Sequence, residues 1–434
     1  MRISLAHLTS NGLFWLCGGL VFLYPLLVLT VNHGGSTIYA LLALLGLGFA
    51  TFQRRKDLLT HDEKWLFFSV VFFVAAAILV TLLGDNIAQG SGKLSKFAKL
   101  LLLIPAYLLL RKTTLAPAVF WYSLAGGAIL SGIVAIYEIT AGLIAHGHVG
   151  RAQGATHPIL FGNLSLMMGV MALAGLGYFR GQKKWLIILP VAAAIFGLLA
   201  SLLSGSRGGW LAMPALVVIV FWYLRTHLSR GQILLSVVLV ILIPVLTYAV
   251  PSSGVAKRIN ETLYNLKLYA ESPIEDGVRA TSVGTRLEMW QASWTIFKNN
   301  PMLGVGWGSY QENANALVAA GQRHRSAGTW GHPHNEYFSV LASGGILGFV
   351  ALLLLLFIPT KLFFSAIKKP NPALQRLGLS GLLLIVGYMH FALSEAIFER
   401  SLPINFYAFY LLVIMALISQ ERQRGSGEDE PVKP

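Results

Sequence analysis

Apolar residues along this chain occur in long runs, separated by short polar segments that contain most of the charged residues. A helix needs about 20 apolar residues to cross a hydrocarbon core of about 30 Å. We interpret twelve runs as transmembrane helices, of which the second and fourth are short. They lie near residues 14–31, 37–52, 65–83, 98–110, 117–142, 158–178, 185–203, 209–224, 232–250, 336–360, 377–397 and 403–419.

The composition supports this interpretation. Of the 434 residues, 55% are hydrophobic and only 12% are charged, whereas a soluble domain carries roughly 25% charged residues. The sequence therefore predicts an all-α polytopic membrane protein. The single cysteine, Cys17, lies in the first apolar run, which excludes both a disulfide framework and a cysteine-based metal site.

The distribution of basic residues predicts the orientation. The chain has 33 Lys and Arg residues against 18 acidic ones, a net charge of +15, which in a soluble chain would suggest nucleic acid. Here the basic residues lie in the loops. If the N-terminus is cytoplasmic, the inner segments hold 19 of them and the short outer segments hold 6. Because cytoplasmic loops are enriched in Lys and Arg, we expect both termini inside and no nucleic-acid partner.

One long polar segment, residues 251–335, follows the ninth run and is predicted to face outward. Long loops in compact proteins are usually functional. Thr285 and Glu288 fit a capping box at the start of a helix, and a second short helix is expected near 310–320. The sequence predicts four regions: helices 1–9 in 1–250, the loop with short helices in 251–335, helices 10–12 in 336–420, and a disordered cytoplasmic tail in 421–434.

Residues able to bind or transfer charged groups collect on the predicted outward side. They are Arg151, His157, Arg207, Arg286, His332, His334, Glu395, Glu399 and Arg400. Charged residues close to a membrane core are costly unless they are paired or line a wet cavity. This side of the protein is therefore the predicted location of its chemistry.

Two arginines are candidates for phosphate binding, because the planar guanidinium group matches phosphate oxygens. Arg207 lies between two apolar runs within the segment GSRGG; the alternative is an interface arginine paired with Glu395 or Glu399. Arg286 is predicted at the first position of the loop helix, where free N–H groups favour anions; the alternative is a solvated surface arginine.

His334 is the candidate general base, since an imidazole pKa near 6.5 suits proton removal at neutral pH. The alternatives are a structural hydrogen bond at the mouth of a helix, or a metal site shared with His332 and Glu336. No third ligand stands at a supportive spacing, and the sequence has no HExxH motif. We therefore expect no metal site and no cofactor.

Three segments carry a resemblance to a known family. GSRGG lies near the middle of the chain, GTRLEMWQASWTIFKNNPMLGVGWGSY lies in the long loop, and HPHNEYFSVLASGGILGF enters a predicted span. Their order resembles the O-antigen ligase and polymerase superfamily of C-type glycosyltransferases. The resemblance implies that Arg207 and Arg286 hold the diphosphate of a polyprenyl-linked donor and that His334 is the essential histidine. Arg151 matches a weaker pattern and is carried over as a further donor contact.

The resemblance also implies an activity and a location. The expected reaction is a metal-independent, inverting transfer of O-antigen from undecaprenyl diphosphate to lipid A–core, at the periplasmic face of the bacterial inner membrane. Three alternatives stay open. An O-antigen polymerase would use the same donor, a protein O-oligosaccharyltransferase would use a serine or threonine acceptor, and a transporter would have ionisable residues at mid-membrane and matching broken helices.

Overall fold

The structure is a computed structural model that describes residues 5–52, 59–84, 86–146, 150–225, 255–271, 273 and 277–428. These residues form helices, short 3₁₀ segments and turns, and no strand occurs among them. The α-helices are α1 Leu5–Leu27, α2 Gly34–Phe52, α3 His61–Leu83, α4 Ile87–Phe97, α5 Leu103–Lys112, α6 Pro117–His146, α7 Pro158–Leu173, α8 Leu176–Gln182, α9 Ile188–Leu203, α10 Arg207–Leu224, α11 Val255–Glu271, α12 Ser282–Asn299, α13 Tyr310–Ala319, α14 Glu336–Ile367, α15 Pro372–Phe391 and α16 Ser401–Glu428.

The predicted class, an all-α polytopic membrane protein, is confirmed. Six helical segments of the described residues are long and apolar enough to cross a membrane, and α7 with α8 forms a seventh that is bent by 51°. Shorter apolar helices cover parts of α1, α2 and α10. The predicted fourth span is a 3₁₀ turn followed by the ten residues of α5, and the ninth, 232–250, lies outside the described residues. The count of twelve therefore stays a prediction.

Helix α16 runs through the middle of the bundle, and its side chains are buried from residue 403 to residue 420. Near its C-terminal half it meets a buried carboxylate, Glu63 of α3. Glu63 accepts hydrogen bonds from Tyr107 and from Ser419 and pairs with Arg111, whose Nη1 lies 3.2 Å from Glu63 Oε2. Because a buried charge is costly unless it is paired, these contacts fix α3, α5 and α16 together at this end.

The C-terminal boundary differs from the sequence prediction. Helix α16 continues to Glu428, past residue 421, where we expected the disordered tail to begin. Arg422 Nη1 lies 2.7 Å from Asp62 Oδ2 and Arg424 Nη1 lies 2.7 Å from Glu421 Oε1. These ion pairs give the polar end of the helix local partners that its composition alone did not reveal.

The long loop contains helices α11, α12 and α13 around a small core of its own, which includes Met289, Ile296, Tyr310 and Ala314. Helix α12 packs against α14 and so connects this core to the membrane helices. The loop helices expected near 285–299 and 310–320 are therefore present as α12 and α13.

The predicted capping box is wrong in its register. Helix α12 begins at Ser282, and its N-cap is Thr281, whose hydroxyl oxygen accepts a hydrogen bond from the Gly284 N–H at 3.1 Å. Glu288 is instead fully buried, where it accepts hydrogen bonds from the Tyr269 hydroxyl at 2.6 Å and the His324 N–H at 3.1 Å. Tertiary donors satisfy this carboxylate, so it does not serve as a cap.

The orientation can be tested with single cysteines. Ala316 in α13 and Gly181 near the end of α8 are both exposed, and a Cβ at Gly181 meets no other atom within 4 Å. The native Cys17 is buried. From the charge bias we expect Ala316→Cys to react with a membrane-impermeant maleimide in intact spheroplasts, and Gly181→Cys to react only after lysis. The opposite labelling pattern would place the loop in the cytoplasm.

Candidate active site

The long loop is joined to helix α14 where that helix is broken. Gly345 lies inside α14 with φ 59° and ψ −155°. Residues other than glycine rarely adopt this backbone conformation. The free backbone groups pair with the segment after α12: Val305 N–H donates to Ala342 O at 3.0 Å, and Ile346 N–H donates to Pro301 O at 2.8 Å. The loop therefore completes the hydrogen bonding of the interrupted helix.

The glycine-rich turn GVGWGSY is explained by this insertion. A Cβ on Gly304 would lie 2.5 Å from Ala342 O, and one on Gly345 would lie 2.5 Å from Met302 C. Trp307 fills the space behind the break, with its ring centroid 4.9 Å from that of Phe97 in α4. Close backbone contact between the loop and α14 thus needs glycine on both sides.

The segment 392–400, between α15 and α16, forms hydrogen bonds with the start of α14. Asn335 is the N-cap of α14: its side chain accepts from Phe338 N–H at 3.1 Å and donates to Leu393 O at 3.0 Å. Glu336 N–H donates to Ala392 O at 2.8 Å, and its carboxylate accepts from Phe398 N–H at 2.9 Å. These bonds bring the residue before Asn335, His334, against the segment 392–400.

His334 meets a buried carboxylate there. His334 Nδ1 lies 3.2 Å from Glu395 Oε2, and Glu395 is only 2% exposed. His332 Nε2 lies 3.8 Å from Glu395 Oε1, and Arg400 Nε lies at the same distance from that oxygen. Glu395 therefore faces two imidazoles and one guanidinium group.

The charges around Glu395 decide its ionisation. Burial opposes its charged form, but the hydrogen bond with His334 and the nearby His332 and Arg400 outweigh burial and hold the pKa of the carboxyl below its usual value. Burial lowers the pKa of His332 in spite of the neighbouring carboxylates. Because the Glu395 carboxylate accepts a hydrogen bond, it favours the proton of His334 on Nδ1; in the neutral ring this leaves Nε2 as the acceptor.

Helix α12 is anchored to the same loop by Trp290. Its indole N–H donates to Pro333 O at 3.0 Å, and its ring stacks on Phe338 with centroids 5.7 Å apart. Arg286 is half-buried one turn before Trp290, and residues four apart lie on one helix face with Cβ atoms about 5–6 Å apart. Arg286 is the fifth residue of α12 and not the first. Its backbone N–H group is therefore not one of the free N–H groups at the start of the helix, and the anion site predicted from that position is not supported.

Arg207 is the first residue of α10, directly after a tight turn. Gly205 in this turn has φ 62°. A Cβ on Gly208 would lie 2.5 Å from Ser394 Oγ, so the start of α10 touches the residue next to Glu395. The GSRGG segment therefore needs its glycines to form the turn and to let α10 approach the segment 392–400.

Arg151 holds the turn before Arg207 in place. Its Nε donates to Ser204 O at 2.7 Å and its Nη2 approaches Gly205 O at 3.4 Å. Ala152 N–H also donates to Leu203 O at 3.1 Å. These contacts place Arg151 against the turn that precedes α10, and its expected donor contact stays a prediction.

Lysines of α4 complete the polar region. Lys93 forms an ion pair with the buried Glu399, which also accepts a hydrogen bond from Ser339 of α14. Lys96 Nζ donates to Glu399 O at 3.1 Å. Burial and the neighbouring Lys93 lower the pKa of Lys96. Glu399 is thus already paired with lysine, which removes it from the partners considered for Arg207.

Sequence reasoning did not identify Glu395 as the partner of His334. The two residues are 61 positions apart, and no local spacing joins them. Glu395 also supplies the third group that the sequence lacked near the histidines: ligand atoms of His332, His334 and Glu395 lie within 4.8 Å of one another. Glu336, the third ligand considered from the sequence, is directed at Phe398 instead.

Fold and site together define a multi-pass helical membrane protein in which His332, His334 and Arg400 meet the buried Glu395 at one end of the helices. The O-antigen ligase family profile matches residues 192–353, which include Arg207, Arg286 and His334. An O-antigen ligase of Escherichia coli strain K12 is 27% identical over 272 residues, which are 62% of this chain and 58% of that protein. An uncharacterized protein of Haemophilus influenzae is 24% identical over 389 residues, covering 89% of this chain and 94% of that protein.

The family profile and the E. coli relative confirm that this chain is similar to the O-antigen ligase superfamily, as the three sequence segments indicated. This similarity supports a transferase role in a membrane and in lipopolysaccharide biosynthesis.

The break at Gly345 gives a prediction for stability. We expect Gly345→Ala to lower the free energy of unfolding by about 1–3 kcal/mol, the cost of a strained backbone residue, because the new Cβ would meet Met302 at 2.5 Å. The matched control is Gly348→Ala three residues on, where the nearest atom, Val340 Cγ1, is 3.3 Å away. Thermal unfolding in detergent measures both. Equal stability of the two variants would contradict the account of the break.

Proposed function

We propose that this protein transfers O-antigen from undecaprenyl diphosphate to lipid A–core, at the periplasmic face of the inner membrane. The observation that carries this proposal is the meeting of three remote segments. The start of α10, next to Arg207, approaches Ser394 at Gly208; the neighbouring Glu395 contacts His334; and α12, which carries Arg286, is anchored at Pro333 through Trp290. These contacts bring the chain segments that carry Arg207, Arg286 and His334 to the same end of the helices, which supports the proposal.

Arg207 and Arg286 hold the donor diphosphate in this proposal. As the bond between the anomeric carbon and the diphosphate oxygen breaks, that oxygen keeps the electron pair and its negative charge grows. Fixed cations stabilise such developing charge most effectively in a site that excludes water. The guanidinium group also binds two phosphate oxygens at once, which orients the leaving group.

His334 accepts the proton of the acceptor hydroxyl on Nε2 while the hydroxyl oxygen attacks the anomeric carbon from the opposite side. Glu395 is a positioning residue: its carboxylate accepts from Nδ1–H, orients the ring and stabilises the imidazolium ion that forms. This is the same division of roles as in a hydrolase triad. The products are the inverted glycoside and undecaprenyl diphosphate, and the proton then leaves the imidazole to the solvent.

The similarity to O-antigen ligases supports the choice of acceptor. The family profile and the E. coli relative both bear the description O-antigen ligase, which favours lipid A–core over a second lipid-linked glycan. Supplying the purified protein and donor with each acceptor in turn tests this choice. Transfer to a second donor molecule alone would make the protein a polymerase, and transfer to a serine- or threonine-containing peptide would make it a protein glycosyltransferase.

The roles of the arginines and the histidine can be separated by variants. Arg207→Lys keeps the charge but loses the planar fork, so we expect severely weakened donor binding and transfer, and the same for Arg286→Ala. His334→Ala should bind donor normally and lose about 10²–10⁴-fold in turnover, the usual contribution of general-base catalysis. Equilibrium donor binding and single-turnover rates on monodisperse protein measure the two effects.

Two further variants sharpen this test. Glu395→Gln should lower turnover less than His334→Ala and should shift the pH profile of turnover, because the amide no longer fixes the tautomer of His334. His61→Ala is the control, since His61 is an exposed histidine at the start of α3 whose ring bonds only to Trp65 among the described contacts. A well-folded His334→Ala protein with near-normal turnover would refute the base assignment.

Chelation tests the metal-independent mechanism. We expect transfer to survive EDTA, because Glu395 already pairs with His334 and Arg400, and a cation at Arg400 opposes the binding of a second cation. The measurement is the transfer rate before and after dialysis against EDTA. Loss of transfer that one divalent ion restores would assign His332, His334 and Glu395 as its ligands.

A further inference from the structure

An open groove of about 440 Å³ lies beside helix α12, next to the start of α14 and the turn after α13. It combines aromatic rings, hydrogen-bonding groups and positive charges. Among the described residues that line it, two are cationic and none is acidic. The lining includes Trp290, Trp294, Thr295, Lys298, Arg323 and Phe338. A groove of this composition suits a polar ligand that also has apolar faces.

One face of α12 forms the long wall of the groove. Trp290, Trp294 and Lys298 follow one another at intervals of four residues, so at 1.5 Å per residue they cover about 12 Å of the helix. Trp290 is fixed by its hydrogen bond to Pro333 O and by its stacking on Phe338. Trp294 is 47% exposed. The wall therefore has one fixed aromatic ring and one accessible aromatic ring.

Arg323 reaches the groove from the turn after α13. Its Nη2 donates to Thr295 Oγ1 at 3.1 Å, whereas its buried Nε has no hydrogen-bond partner among the described residues. The N–H group of the next residue, His324, donates to the buried Glu288 carboxylate at 3.1 Å and so fixes the backbone beside Arg323. A buried donor without a partner costs free energy, and an oxygen atom of a bound ligand would satisfy it.

We propose that this groove binds a sugar residue of the acceptor that carries a phosphate or carboxylate group. The proposal rests on the proposed function, which assigns a saccharide acceptor and places its hydroxyl group at His334. A pyranose ring exposes C–H bonds on its faces and hydroxyl groups at its edge, so it matches an aromatic wall beside hydrogen-bonding side chains. The guanidinium group of Arg323 and the ammonium group of Lys298 match the anionic substituent.

The position of the groove favours the acceptor over the donor. The groove begins at Trp290, which is bonded to the residue before His334, and His334 accepts the proton of the acceptor in the proposed reaction. The donor diphosphate is held in part by Arg286 in the same proposal. Lys298 follows Arg286 by 12 residues, about 18 Å along the helix. We therefore assign the charges at Lys298 and Arg323 to a second anionic group.

Binding in the groove orients the acceptor. An anchored sugar residue restricts where the rest of the saccharide lies, which raises the local concentration of one hydroxyl group at His334. The contacts are the same before and during transfer, so they lower KM for the acceptor and leave kcat unchanged. Salt screens the attraction between exposed charges, so KM for the acceptor should rise with ionic strength.

Variants of the groove test this assignment in the full-length purified protein, with lipid A–core as acceptor. Arg323→Gln should raise KM for the acceptor by about tenfold, the usual loss for a hydrogen bond to a charged group. Lys298→Ala and Trp294→Ala should give smaller rises, since both side chains are exposed. In all three, kcat and KM for the donor should stay near the wild-type values. The controls are Lys267→Ala and Tyr264→Ala, at exposed positions of α11 outside the groove.

Modified acceptors identify the anionic group. Lipid A–core treated with phosphatase and lipid A–core with reduced carboxyl groups are each supplied to the wild type and to Arg323→Gln. The treatment that removes the bound anion should raise the wild-type KM by about tenfold and leave that of Arg323→Gln unchanged, because the variant has already lost the contact. Treatments that change the KM of both proteins equally would overturn the assignment of Arg323 to an anion.

Other kinetic results also overturn the proposal. If the wild type transfers glycan and the groove variants behave like the controls, the groove assignment fails and the transferase function stands. A rise in KM for the donor alone would assign the groove to the donor glycan. Lower thermal stability of Trp294→Ala with an unchanged KM for the acceptor would make Trp294 an anchor at the membrane interface.

Equilibrium binding separates the groove from the proposed function. The water-soluble core oligosaccharide, freed of lipid A, is titrated into the wild type and into Arg323→Gln without donor. We expect saturable binding to the wild type and about tenfold weaker binding to the variant. Such binding without transfer in the complete assay would keep the groove as a saccharide site and refute the transferase function. If the wild type neither binds the oligosaccharide nor transfers glycan, both fail.

Discussion

The break in α14 at Gly345 is the constraint on which the candidate site depends. A helix interrupted within a membrane leaves backbone groups without partners, and such groups must be satisfied by protein when no water is present. Here the loop segment 301–306 supplies the partners. The insertion fixes the loop core to the bundle at one place, and α12 with Trp290 and Arg286 is fixed with it. The helical residues 336–344 before the break then fix the position of His334 relative to the rest of α14.

Buried carboxylates determine how the segment 392–400 lies. Glu395 and Glu399 are almost fully buried, and each has a partner on a different element: His334, just before α14, for the first, and Lys93 of α4 for the second. Breaking one partner from a buried pair is far more costly than an exposed pair is worth. The segment therefore has one arrangement that satisfies both carboxylates, and this arrangement places Glu395 beside His334 and Ser394 beside the start of α10.

The fold class could be predicted because the signal is local. Long apolar runs specify membrane helices whatever their neighbours are, and the segments around Arg207, Arg286 and His334 could be recognised from their own residues. The register of α12 could not be predicted. Glu288 accepts hydrogen bonds from Tyr269 and His324, and capping rules consider only residues close in sequence. The role of Glu395 depends likewise on a contact between distant segments.

The ion pair between Lys93 and Glu399 also has a consequence for biogenesis. Its two residues are 306 positions apart, so at about 5–20 residues per second the ribosome needs roughly 15–60 s to make the second after the first. During that time Lys93 of α4 has not yet met its partner, Glu399. Hydrated ammonium groups at the membrane surface are inexpensive, whereas the same groups deep in lipid are not. The lysines of α4 therefore favour a position at the membrane surface until the segment that carries Glu399 has been made.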